Sequence, residues 1–414
     1  MEKFKWLYPG IKIKRWVMVC ILGIIMVSIG SIDLVSPDYI SVRILGGFTL
    51  FLGIALIFVG LERTVKSFLS VFLPLKEEKK VFDLIYQKRQ LARGPRFVVI
   101  GGGTGLSTLL YGLKEYTSNI TAIVTVADEG GSSGRLREQF GLLAPGDIRN
   151  CLVALADTEP LMRNLFQFRF GGRAELDGHS FGNLFITAMT KITGDFEKAV
   201  KESSKVLAIR GQVVPSTLEE VRLVAEYEDG TRVIGESKIS KQKKPIKRIY
   251  LNQRDCQAAP EAVSALKEAD VVVIGPGSLY TSVIPNLLIE GINRAILESK
   301  AIKIYVCNIM TQSGETDNYK ASDHIEALVA HAKSKLIDYC ILNFARIPAQ
   351  FLEKYKQEDA HPVLADVEKI EEMGFSVIKD NLVSAKDCVR HDAQKLAGII
   401  VDLIEAKAKV NEPV

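Results

Sequence analysis

The chain has 414 residues, 47% hydrophobic and 25% charged, an ordinary globular composition that excludes wholesale disorder and, at roughly 100–200 residues per domain, suggests about two to three folding units. The formal net charge is only +4, with the basic residues spread along the chain, so no nucleic-acid partner is expected. Six cysteines, at 20, 151, 256, 307, 340 and 388, lie far apart without a Cys-x-x-Cys pair, which argues against a disulfide framework or a zinc ribbon and for reduced thiols in a cytosolic body.

The mean hydropathy of +0.14 is high for a soluble enzyme and low for a polytopic transporter, so a soluble body with a small hydrophobic appendage is expected. The appendage comes first. Residues 16–32 (WVMVCILGIIMVSIGSI) and 44–61 (ILGGFTLFLGIALIFVGL) carry no charge, and each is near the lower length limit for crossing a hydrocarbon core of about 30 Å. No small-x-small cleavage site follows the first run and neither has a polar face, which argues against a signal peptide and a soluble hairpin. Lys3, Lys5, Lys12, Lys14 and Arg15 precede the first run; Arg63, Lys66, Lys76, Lys79 and Lys80 follow the second; the turn between carries Asp33, Asp38 and a lone Arg43. The positive-inside rule then predicts a two-span membrane protein with both termini and the bulk of the chain in the cytoplasm. Gly46, Gly53 and Gly60 recur every seven residues on one helix face, a spacing suited to close helix packing. Residues 1–62 are read as a transmembrane hairpin and 63–94 as a juxtamembrane helix or linker.

From residue 95 the pattern changes. The β-branched run 96–100 enters GGGTGLSTLLYGLKEY, a glycine turn followed by a helix; strand 121–127 leads into DEGGSSGRLRE; ADVVVIGPGSLYTS at 269–282 repeats strand-then-glycine-loop, and 301–310 is a further buried strand. Strands alternating with helices predict a Rossmann-like α/β domain with a doubly wound parallel sheet over 95–405, followed by a tail at 406–414. Alternating residues around Asp229-Gly230 predict a small antiparallel β insertion at about 211–251.

Three strand-end loops carry the candidate site. Gly101, Gly102, Gly103 and Gly105, with Thr104 and Ser107, suit a phosphate cradle at a helix N-terminus, although Leu106 breaks G-x-G-x-x-G and no P-loop lysine follows. Asp128 and Glu129 end the second strand and run into the anion-suited Gly130-Gly131-Ser132-Ser133-Gly134-Arg135; a carboxylate beside such a nest suggests a ribose or divalent-cation role, with Arg135 or Arg137 countering phosphate charge. Gly275, Pro276, Gly277 and Ser278 form the third loop. The segment 178–183 adds Asn183 and His179, the latter a weak candidate for a general base. A metal cage made by protein alone is not supported by any ligand spacing.

Together, GGGTGLSTLLYGLK, TVADEGGSSGRLRE, PGDIRNCLVALAD, GHSFGNLFITAMT, GPGSLYTSVIPNLL and CNIMTQSGETDNYKASDHI closely resemble the YvcK-type gluconeogenesis factors of the CofD-like superfamily. The resemblance implies binding of a nucleotide sugar such as UDP-N-acetylglucosamine (UDP-GlcNAc), and a regulatory role linking central carbon flux to cell-wall precursor supply and cell shape through a cytoplasmic enzyme partner; a homo-oligomer is compatible with it. The alternative it carries is a transferase moving a phospholactyl-type group from a guanylyl diphosphate donor to a deazaflavin precursor with magnesium. An NAD-dependent oxidoreductase is the third reading, disfavoured by the missing glycine. Carried over onto this sequence, the 101–105 loop, Asp128, Ser132, Ser133, Asn183 and the 275–278 turn are the expected nucleotide contacts, with Tyr355 and Arg390 on the uridine or sugar side. Asp128 is also the candidate catalytic residue and magnesium ligand. Family members commonly start at the glycine loop, so the hairpin is a departure, as is Glu129 where a second aspartate is usual.

Overall fold

The computed structural model of the chain describes residues 13–35, 39–72, 86–172, 175–253, 255–385 and 389–411. It divides into Met1–Arg89 and Gln90–Val414. The basic residues expected at 3, 5, 12, 76, 79 and 80, Asp38 of the turn, Cys388 and the last residues of the tail lie outside the described residues.

In the first unit, helices Ile13–Val35 and Ile40–Phe72 pack against one another. Glycine forms the seam. A β-carbon on Gly53 would lie 2.8 Å from the Gly23 carbonyl oxygen, one on Gly30 2.6 Å from that of Gly46, and one on Gly60 2.5 Å from Cys20 Sγ. The seven-residue spacing of Gly46, Gly53 and Gly60 is thus answered by Gly23 and Gly30 on the facing helix, which keeps the same face inward turn after turn. Met18, Ile32, Phe51 and Phe58 point outward and are exposed. Both helices are long and apolar enough to cross a membrane. At the end away from the turn, the Arg63 guanidinium lies 5.2 Å from the Trp16 ring centroid, a cation–π pair.

The second unit is built on a seven-stranded sheet of order β10-β9-β8-β7-β1-β2-β3, parallel throughout. Its strands are β1 (Phe97–Gly101), β2 (Ile120–Val124), β3 (Gln212–Pro215), β7 (Val271–Ile274), β8 (Ile302–Val306), β9 (Tyr339–Asn343) and β10 (Ser376–Asp380). FVVIG, ITAIV and VVVI are buried at every position, as strands covered on both faces must be. One helical group joins Gly103–Leu113, Gly146–Leu155 and Ala393–Asn411; another joins Pro260–Glu268, Ile284–Leu287, Glu290–Glu298 and Ala321–Ala332. The chain runs outward from β1 to β3 and then returns to place β7 on the other side of β1. That reversal is the topological switch point, and ligands of open α/β sheets bind at the strand C-termini beside it.

Between β3 and β7 lies the antiparallel insertion of β4 (Leu223–Tyr227), β5 (Arg232–Ile234) and β6 (Ile246–Leu251). It begins later than the expected residue 211, because residues 212–215 pair with β2 as the edge strand of the main sheet. The Asp229-Gly230 turn forms as expected, with Gly230 at φ +80 and Thr231 N donating to Asp229 Oδ1 at 2.9 Å. A last antiparallel pair, β11 (Val383–Ala385) and β12 (Val389–His391), closes over a small second core of Ile309, Ile347 and Val389.

Candidate functional site

Helix Gly103–Leu113 starts two residues after the last hydrogen-bonded pair of β1, with no side chain capping its N-terminus. The Gly103 N–H is turned to the Asp147 carboxylate, and the N–H groups that follow it in the first turn have no partner within the helix. Gly103 holds φ +67, and a β-carbon there would meet only Ser282 Oγ at 3.6 Å, so this residue faces open space. Gly105 is different: its β-carbon would lie 2.7 Å from the Pro276 carbonyl oxygen. That glycine lets the first loop nest against the third. Gly277 completes the junction, since a β-carbon on it would lie 3.1 Å from the Gly102 carbonyl oxygen. The Gly277 N–H donates to Asn308 Oδ1 at 3.2 Å, so it is engaged by protein rather than offered to a ligand. Gly275, at φ +76, turns the chain at the end of β7.

These two loops form one wall of a cleft of about 610 Å³. Gly102, Gly103, Thr104, Gly105, Gly277 and Ser278 line it together with Tyr355 and Arg390. Gly101 and Gly275 lie beneath as buried strand-end positions. The Tyr355 hydroxyl accepts from Val389 N–H at 3.0 Å and donates to the Val389 carbonyl at 3.3 Å. It thereby fixes the strand that carries the exposed Arg390.

The second loop does not line this cleft. Asp128 accepts from Gly130 N–H at 2.8 Å, and Gly146 leaves the space that its carboxylate and the Ser133 hydroxyl occupy. Ser132, Ser133 and Asn183 form a buried network: Asn183 Nδ2 donates to Ser132 Oγ at 3.2 Å and to Ser133 Oγ at 3.4 Å. His179 pairs through Nδ1 with Ser132 Oγ at 3.1 Å, and burial, then the Arg135 charge, lowers its pKa. Arg137 is committed to the protein interior, donating to the Val221 carbonyl at 2.7 Å and lying 3.9 Å from Glu129. Arg222 also reaches Glu129, at 3.5 Å. Arg137 is therefore not free to meet a phosphate, and Arg135 is drawn to the Asp177 carbonyl at 2.6 Å.

The link between network and cleft is Asp147, which carries no role in the reading of the sequence. A β-carbon on Gly102 would lie 2.5 Å from Asp147 Oδ2, so the carboxylate stands directly behind the glycine loop. Burial, then the Asp128 charge, raises its pKa to about 7. Glu236 of the insertion is raised to about 7 by burial, then by Asp128 and Glu315. Glu315, 4% exposed, is also raised to about 7, because burial outweighs the hydrogen bonds from Ser278 and Thr281. Arg149, 7% exposed, donates to Ser180 Oγ at 2.7 Å. The available signal for Asp147 and Arg149 was a charged pair at the start of the helix GDIRNCLVAL, whose second half is wholly apolar and where ionised groups are found only with partners. Among the described residues no three His, Cys, Asp or Glu side chains converge to hold a metal ion.

The profile of the family described as "2-phospho-L-lactate transferase CofD" matches residues 97–383. The gluconeogenesis factor of Bacillus subtilis (strain 168) is 49% identical over 316 residues, covering 76% of this chain and 100% of that protein. The chain belongs to the CofD family and, within it, to the gluconeogenesis factors. A gluconeogenesis-factor relative from Nostoc sp. is 48% identical and covers 96% of this chain and 92% of its own length, so this family includes members matching the body alone and members matching nearly the whole chain. A solved Bacillus halodurans protein of the UPF0052 family, 49% identical, superposes with a TM-score of 0.72 over 74% of this chain and 99% of that one.

Proposed function

We propose that this gluconeogenesis-factor chain is a membrane-anchored, cytoplasm-facing sensor of a nucleoside diphosphate sugar of the UDP-GlcNAc kind, regulating the supply of cell-wall precursors and with it cell shape through a cytoplasmic enzyme partner. The observation that carries the reading is the cleft itself. Its lining brings together the glycine turn at a helix N-terminus, suited to a diphosphate, an aromatic ring suited to a base and an arginine suited to a second phosphate contact. The two apolar helices support the anchor, and the basic flanks of the sequence support the orientation.

A magnesium ion typically shares its shell between one or two carboxylates, water and substrate phosphates. Asp128 and Asp147, neighbouring carboxylates whose charges oppose one another, fit that donor set and would hold it; the ion would offset that repulsion.

A second reading is the CofD-like transferase acting on a GDP-type donor, favoured by the family match over residues 97–383. Titration calorimetry of the detergent-solubilised full chain with UDP-GlcNAc, GDP, GTP and NAD separates the readings. Binding of UDP-GlcNAc in preference to the others is expected; guanylyl selectivity would favour the transferase, and NAD selectivity would overturn both.

A further inference from the structure

The cleft continues past Arg390. A second cavity of about 400 Å³ adjoins it, and the two share Thr104, Thr108 and Arg390. Tyr355 lines only the first cavity, whereas Asn150, Asn164 and Gln167 line only the second. A path from Tyr355 across the glycine loop and Arg390 to the amide-lined chamber has the order aromatic surface, anion site, polar pocket. Base, diphosphate and sugar follow one another in that order in a nucleoside diphosphate sugar.

The wall chemistry of the second chamber suits the sugar end. Arg149, itself buried, donates Nη2 to Asn150 Oδ1 at 2.6 Å. That bond occupies the amide oxygen and so orients the Asn150 side chain, whose NH2 has no protein partner among the described residues. The side chains of Arg163, Asn164 and Gln167, on helix Pro160–Gln167, likewise have no hydrogen-bond partner among the described residues. Asn150 thus offers its NH2 as donor, while the Asn164 and Gln167 amides offer a donor and an acceptor side by side, the pattern that vicinal hydroxyls and an acetamido group require. Val153 and Ala154 give the chamber an apolar floor, and the Tyr111 ring stands at its edge, as for a site that must accept both faces of a pyranose.

We propose that this second cavity is the glycosyl subsite, taking a hexosamine-class sugar, with Asn150 as its specificity-determining residue and Arg149 as the residue that positions it. The proposal rests on the nucleotide-sugar reading of the main cleft.

The test is calorimetry on the detergent-solubilised full chain with two probes, UDP and UDP-GlcNAc. The parent is expected to bind UDP-GlcNAc about tenfold more tightly than UDP, the increment of one to two net hydrogen bonds. Asn150→Ala should bring that ratio close to one while leaving UDP affinity within about twofold. Gln167→Ala, at an exposed position on a different helix, should reduce the ratio about threefold, with no folding penalty to confuse the result. A ratio unmoved in both variants, or a loss of UDP and UDP-GlcNAc affinity in equal measure, would overturn the subsite while leaving the nucleotide reading intact. A parent that binds neither probe would overturn that reading, and the subsite with it.

Discussion

At the scale of single residues, the glycines of the first loop have two different jobs, and substitution should separate them. Gly103 is required for its positive φ and for an open approach to the cleft, whereas Gly105 is required because the third loop presses against it. Gly103→Val is expected to keep most of the thermal stability, losing about 1–2 kcal/mol to backbone strain, and to weaken nucleotide binding roughly 30-fold or more through obstructed N–H groups. Gly105→Val should instead lower the melting temperature strongly, because its β-carbon meets the Pro276 carbonyl. Equal melting temperatures in the two variants would refute this division. Glu315 supports a pH experiment. Its folded pKa of about 7 stands above its ordinary 4.5, so the folded chain holds more protons than the unfolded chain between those values. Stability attributable to this group is therefore highest below about pH 4.5, falls as pH rises, and is at its lowest above pH 7. Relative to Glu315→Gln, the parent should lose about 2–3 kcal/mol between pH 4 and pH 8, measured by denaturant unfolding; a constant difference across that range would show that the carboxyl is not desolvated.

At the scale of elements, the helix pair and the strand-end loops use glycine for the same reason, to bring backbones close. In the helix pair the seam Gly23, Gly30, Gly46, Gly53, Gly60 replaces side-chain interdigitation, the small-residue packing typical of helices that associate in lipid. Gly53→Leu is expected to separate the two helices, read as loss of cross-linking between single cysteines placed on the facing seams, with ligand affinity of the body unchanged. Retained cross-linking would mean that the seam tolerates a side chain. The heptad of the second helix was legible from residues 44–61, because three glycines at constant spacing mark a face by themselves. Its partner glycines on the first helix were not, because two glycines seven apart carry no such signal until the facing helix is in place. In the body, the three glycine loops were legible as strand ends, yet the middle one lies behind the cleft. Loop chemistry alone did not separate Ser132 and Ser133, which bond to Asn183, from Thr104, which lines the cleft.

At the scale of the whole molecule, residues 14–67 provide two helices suited to a bilayer and residues 97–383 a CofD-family body. Full-length protein is expected to stay with membranes through alkaline carbonate extraction; its release would show that the helices do not span. The amino-acid sequence by itself determined the alternating α/β class, the two apolar spans, the glycine turns at three strand ends and the family, because these depend on local period, composition and motif. Only the tertiary structure decided which loops share a cleft, that Arg137 is spent on Glu129 and the Val221 carbonyl rather than on a phosphate, and that Asp147 stands behind Gly102. The reason is physical. A side chain's partner and its exposure are set by residues tens to hundreds of positions away, brought together when β7 returns to the far side of β1, and no local pattern records that return.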